Sequence, residues 1–193
     1  NRGELLGEFK SDDSLLIIQQ NGILKTIKPD LNMHFPEDMI VLEKWIEDKP
    51  LSAIYFEGNK DRYFVKRFFA GSQNVDQQFT PLGSKIQLEI ISSDWKPVID
   101  ISFSKTSKGS REDLRQEIED LIGVKGIKAL GNQLSPYKIK NINLTEPIPY
   151  TPLEKIPVME LEVNDEVNVE FENIIVDKEE SSDNSEGQTE LEF

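Results

Sequence analysis

This sequence predicts an all-β fold assembled from repeated hairpins, on three observations. Short β-rich runs flank Gly- and Asn-containing turns, the turns recur at near-constant spacing, and a single stretch carries a helical apolar stripe. The first hairpin pairs Leu15–Ile18 with Ile23–Lys28 around Asn21-Gly22, the strongest short-range signal for such a turn. The second runs from Ile54–Phe56 through Gly58-Asn59 to Tyr63–Phe68. In the third, Ile86, Leu88 and Ile90 alternate with polar residues, turn at Ser92–Asp94, and return through Ile99, Ile101 and Phe103. The fourth takes Ile127–Leu130 through Gly131-Asn132 to Tyr137–Lys140. Turn centres at Gly22, Gly58, Asp94 and Gly131 lie 36, 36 and 37 residues apart, which points to propeller-like or solenoid packing of a hairpin unit. An ordinary meander with evenly spaced turns is the plainer alternative. One helix interrupts the pattern: Ser110 as N-cap, Asp113 three residues on, then Leu114, Ile118, Leu121 and Ile122 on one face predict helix over about 111–122.

The composition first speaks against nucleic acid. The 193 residues carry 36 Asp+Glu and 22 Lys+Arg, a formal net charge of −14. Position changes that reading. Residues 1–140 hold 20 Lys+Arg against 21 Asp+Glu, a net −1, whereas residues 141–193 hold 2 against 15, a net −13. The division expected is therefore a folded β region over 1–145, a linker over 146–157 rich in proline (Pro147, Pro149, Pro152, Pro157), and an acidic tail over 158–193. Within the tail, Met159, Leu161 and Val163, then Val167, Val169 and Phe171, alternate with polar and acidic residues, an amphipathic hairpin over 158–172. Residues beyond it read as disordered. Such a hairpin could lay its carboxylates across a basic surface and compete with DNA, or serve as a solubilising or partner-binding strand.

Other chemistry is narrowed early. Without Cys there is no disulfide or thiolate, and a single His, His34, leaves no two-His metal motif. The longest apolar runs span four residues, so no helix crosses a membrane, and a start at Asn1 without a signal pattern reads as a piece of a longer protein. Asp12, Asp13, Asp61 and Asp94 occupy turn positions and suggest no converging acid–base pair. Trp45 and Trp95 read as core or sheet cover.

Several stretches resemble a known family. Leu5–Phe9 with Ser14–Ile18 and Asn21-Gly22, and Ser52–Phe56 running into Tyr63–Phe68, resemble blades of the C-terminal domain of bacterial type IIA topoisomerase A subunits. Val124–Asn132 with Tyr137–Lys140 resembles the close of that domain in the Bacteroidetes-type gyrase or topoisomerase IV subunit, so the likeness covers about residues 3–148. It implies a β-pinwheel, here about two blades, whose positive rim bends duplex DNA. The gyrase-box motif is absent from the chain. It also implies a parent enzyme acting in the cytoplasm at the nucleoid, with the nucleophilic Tyr, ATP, Mg2+, the B subunit and the A-subunit dimer contact all supplied by regions outside this chain. No cofactor is expected within it. Arg62-Tyr63 mimics the active-site pair of that family, but its strand context makes Tyr63 a packing residue.

The candidate DNA-binding set is Lys25, Lys28, Arg62, Lys66, Arg67, Lys138 and Lys140, basic residues near the strand ends. In register they would line one rim and contact phosphates without reading bases. The bland alternative is a set of solvated strand faces where Lys discourages edge pairing. A β-repeat protein-interaction module whose acidic tail recruits a basic partner is the second functional reading.

Overall fold

The run Leu15–Ile18 has apolar side chains on both faces of a strand, and all four are buried. In the computed structural model, the residues described are 6–30, 32–71, 74–83, 85–107 and 109–152. The chain divides into two units, Asn1–Pro152 and Leu153–Phe193, and the expected tail hairpin over 158–172 lies outside the described residues.

The described residues of the first unit form three sheets. Sheet 1 contains β1 (Leu15–Gln19), β2 (Ile23–Ile27), β3 (Met39–Lys44) and the two-residue β6 (Gln77–Gln78), in the order β3-β1-β2-β6. Sheet 2 contains β4 (Leu51–Glu57), β5 (Arg62–Phe68), β7 (Ile86–Ser92), β10 (Val124–Lys125) and β11 (Asn132–Gln133). Its order is β10-β5-β4-β7, with β11 also on the free side of β5. Sheet 3 contains β8 (Val98–Phe103), β9 (Leu114–Glu117) and β12 (Ile139–Thr145), in the order β12-β8-β9. The all-β expectation holds, with three sheets where about two blades were expected.

The first two predicted hairpins form as β1–β2 and β4–β5, the latter turning through Asp61 at a positive φ of 50°. The third and fourth do not. β4 has apolar groups on both faces, so it takes a central place and uses β7 as its second neighbour. That leaves β8 to found a new sheet, and Ser92–Asp94 becomes a crossing between sheets, tied by the Ser92 hydroxyl donating to Asp94 at 2.8 Å. Residues 127–130 form a turn, Asn132–Gln133 pair with β5, and Ile139–Thr145 pairs with β8.

The helix is corrected too. Residues 114–117 are strand β9, paired Ile101↔Leu114 to Val98↔Glu117, and only Ile118–Leu121 is helical (α1). A helix from residue 111 would have left a whole edge of β8 without backbone partners, and the ladder satisfies it instead. Ile118 and Ile122 still deliver the apolar stripe to the core. The part of the predicted linker that is described, 146–152, lies along sheet 3: the Ile148 amide donates to the Lys96 carbonyl at 3.0 Å, and Tyr150 packs on Trp95.

Two cores join the sheets. Leu16, Ile18 and Leu24 of sheet 1 pack against Leu51, Ala53 and Phe68 of sheet 2. Ile54 and Val65 of sheet 2 pack against Ile99 and Ile101 of sheet 3. Each core is completed by a returning segment. After β5 the chain goes back to β2, where Gln77 and Gln78 pair with Leu24 and Ile23 and the Phe79 amide donates to the Gly22 carbonyl at 3.0 Å. After β9 and α1 it goes back to β5, where Asn132 and Gln133 pair with Val65 and Phe64 and the Leu134 amide donates to the Tyr63 carbonyl at 2.8 Å. The two segments read Gln77-Gln78-Phe79-Thr80-Pro81 and Asn132-Gln133-Leu134-Ser135-Pro136, a repeated pattern with one job. The amides start the ladder, the Phe or Leu plugs the core, and the Pro ends the pairing. Phe79 is 1% exposed and stacks on Phe68 at 5.1 Å; burying such a ring contributes roughly 2–3 kcal/mol.

Candidate nucleic-acid interface

The seven predicted DNA-contact residues divide into three groups. Lys66 and Arg67 are withdrawn from the surface set, being 3% and 7% exposed. Lys66 shares the face of β5 that meets sheet 1, and its ammonium donates to the carbonyls of Phe79 at 2.6 Å, Ile127 at 2.8 Å and Ala129 at 2.8 Å. All three N–H bonds go to the two returning stretches, one paired with β2 and the other with β5, so this lysine joins the connections instead of facing solvent. Burial pushes its pKa down to about 8. Arg67, on the opposite face, donates to the Trp95 carbonyl at 3.2 Å and lies 3.7 Å from the Glu119 carboxylate. Alternation along β5 could not reveal this, because both faces of the strand are covered.

Lys25 and Lys28 form a second group. Lys25 is 3.5 Å from Asp76, and the Lys28 ammonium donates to the Asp12 carbonyl, at the end of β2 remote from its turn. Of the remaining three, Arg62 and Lys138 come together, and Lys140 is exposed two residues beyond Lys138. Arg62 follows the β4–β5 turn, and Lys138 and Lys140 stand at the entry to β12, which pairs with β8 beside the β8–β9 loop. Arg62 and Lys138 line one cavity of about 160 Å³ with Asp61, Tyr63, Tyr137 and Phe56. Lys138 Nζ is 3.8 Å from the Asp61 carboxylate, and Arg62 donates to the Asp61 carbonyl at 3.0 Å.

The β8–β9 loop adds cations that the sequence reading passed over. Thr106 and Gly109 exchange backbone hydrogen bonds of 3.0 Å, and Gly109 takes a φ of 120°, a conformation that side chains rarely adopt. The tight loop exposes Lys105 and brings Arg111 back over the Tyr137 ring at 3.5 Å, with Phe103 at 5.9 Å. An Arg held flat on an aromatic face keeps its N–H edge available to an anion. The sequence signal was present: Lys105, Lys108 and Arg111 occur within seven residues containing no acid. Beside this stack a groove of about 1030 Å³ runs between Phe103, Arg111, Leu114, Leu121 and Tyr137.

Tyr63 packs on Phe56 at 4.9 Å between ring centres, and burial raises its pKa, the opposite of what a nucleophile requires. His34 is exposed on the loop before β3, and Trp45 packs against the core between sheets 1 and 2. Among the described residues, no three His, Asp or Glu side chains gather to hold a metal ion, and no helix is long and apolar enough to cross a membrane.

Sheets completed by segments that return from later in the chain, with aromatic-backed cations at one turn end, define a β-repeat protein. Over residues 1–146 the chain matches the topoisomerase C-terminal domain family of Bacteroidota, and it belongs to that family. It is an accessory region of a topoisomerase. No curated protein and no solved structure matches the chain.

Proposed function

We propose that this region binds the phosphate backbone of duplex DNA through Arg62, Lys105, Arg111, Lys138 and Lys140. It would hold the duplex bent beside the cleavage core of a type IIA topoisomerase A subunit, a gyrase or topoisomerase IV, at the nucleoid. The observation that carries the reading is the convergence of Arg62, Arg111 and Lys138 around Tyr137 in a topoisomerase C-terminal domain. The contacts are cationic and carry no base-reading geometry, so affinity should depend on salt far more than on sequence. Lys25 and Lys28 stand apart from this set under this reading, Lys25 beside Asp76 and Lys28 on the Asp12 carbonyl. Cleavage, ATP and Mg2+ chemistry, the B subunit and the A-subunit dimer contact belong to other parts of the parent enzyme.

The test is DNA binding by the full chain at several salt concentrations, for the wild type and for Arg62→Gln/Arg111→Gln/Lys138→Gln. Three lost phosphate contacts should lower the magnitude of the log–log salt slope by about 2–3 and weaken binding about 30-fold or more at low salt. An unchanged slope in a variant with wild-type thermal stability would overturn the assignment.

A further inference from the structure

The second strand of each sheet has an outer edge, and sheets 1 and 2 cover theirs in the same way. β2 receives Gln77–Gln78, and β5 receives Val124–Lys125 and Asn132–Gln133. β9 is the corresponding strand of sheet 3, and no described residue pairs with its outer edge. The groups it offers can be read from the register. The Ile118 amide donates to the Pro97 carbonyl at 3.0 Å, and Glu117 stands opposite Val98. Backbone bonding alternates along an antiparallel strand, so Leu114, Gln116 and Ile118 face β8 while the N–H and C=O groups of Arg115 and Glu117 point away from it.

That edge is complementary to itself. If two β9 strands meet antiparallel about a two-fold axis through Gln116, Arg115 of each copy stands opposite Glu117 of the other. The outward backbone groups of those two residues then form the hydrogen-bonded pairs, and the opposite charges are cross-strand neighbours. We propose that β9 is an association edge that pairs with β9 of a second copy of this chain, joining two three-stranded sheets into one of six strands with an isologous contact. The contact is only four residues long, so it is weak, with a dissociation constant of roughly tens to hundreds of micromolar. Each copy carries a net charge of −14. General repulsion therefore opposes association while the Arg115–Glu117 pairs favour it, and added salt screens both.

The experiment is sedimentation equilibrium of the full chain between about 10 and 500 micromolar, a range chosen around that affinity. Glu117→Arg places Arg opposite Arg in both halves of the contact and should weaken the dimer at least about tenfold. Arg115→Glu should do the same. Because Arg115 also stands opposite Asp100 within its own sheet, the thermal stability of every variant is measured alongside. Combining the two substitutions restores Arg–Glu pairs with their positions exchanged and should return the dimer to within about threefold of wild type. A chain that stays monomeric throughout overturns the proposal. So does a dimer indifferent to the single reversals, or a double variant as weak as either single in a folded protein.

Discussion

Strand β5 carries cations at both ends, and the two ends have become different things. At the turn, Arg62 is partly exposed and shares its cavity with Lys138. Four and five residues later, Lys66 and Arg67 lie inside the protein with carbonyl and carboxylate partners. Residue type does not distinguish them. What differs is cover: near residue 66 sheet 1 lies on one face, sheet 3 on the other, and β10 and β11 on the edge, whereas near residue 62 the strand emerges from a turn. A cation at a strand end thus reaches solvent or joins the core according to what the rest of the chain lays over it.

The sharpest way to break this contrast is Lys66→Met. It keeps the length of the side chain but leaves three carbonyls without their donor, that of Phe79 buried and those of Ile127 and Ala129 half-buried, and it should cost roughly 3–5 kcal/mol in urea unfolding. DNA affinity of the remaining folded protein should stay within about twofold, since this ammonium faces no phosphate. If the variant retains wild-type stability, the tether role of Lys66 is wrong.

A smaller effect separates the same residue by pH. Burial lowers the Lys66 pKa from 10.5 to about 8, so between those values the unfolded chain holds more protons on this residue than the folded one. Stability should therefore rise with pH across that window, by up to roughly 3 kcal/mol, and this contribution is lost as pH falls from 10.5 back through 8. Tyr55 and Tyr63, both raised by burial, work against the rise near its upper limit, so the quantity to measure is the slope of wild type relative to Lys66→Met. Equal slopes would show that the ammonium is not desolvated as the structure has it.

The smallest effect concerns the turn end. Asp61→Asn removes the carboxylate 3.8 Å from Lys138 and should tighten DNA binding about two- to threefold at low salt, with little change in stability. Weaker binding would mean that Asp61 positions Lys138 instead of competing for it.

The parts of this fold legible in the sequence are those whose determinants lie close together. Asn21-Gly22 and Gly58-Asn59 each mark a hairpin because strand, turn and strand are contiguous, Leu15–Ile27 and Leu51–Phe68. The returning segments escape such a reading, since β6 and β11 are two residues long and their partners lie more than fifty residues earlier. Gln77–Pro81 and Asn132–Pro136 repeat the same chemistry, but at a spacing unrelated to the 36-residue turn period, and the even turn spacing drew attention to hairpins that do not form. Leu114 and Ile118 fit a helical stripe and equally fit the end of a strand followed by one turn of helix; the bare edge of β8 decided between them. For the candidate site, Arg62, Lys138 and Lys140 were found as strand-end cations. Arg111 was missed because it was taken for the first residue of a helix, and Lys105 was passed over in the stretch before it.

The returning segments also set an order in time. During synthesis from the N-terminus, sheet 1 has only three strands until Gln78 has emerged, and β5 keeps an open edge until Gln133 has followed. The fold cannot be finished one sheet at a time. A nascent chain stopped before residue 77 would present the apolar side of β2 without its Phe79 plug, and β8 gains its second neighbour in sheet 3 only as β12 is made.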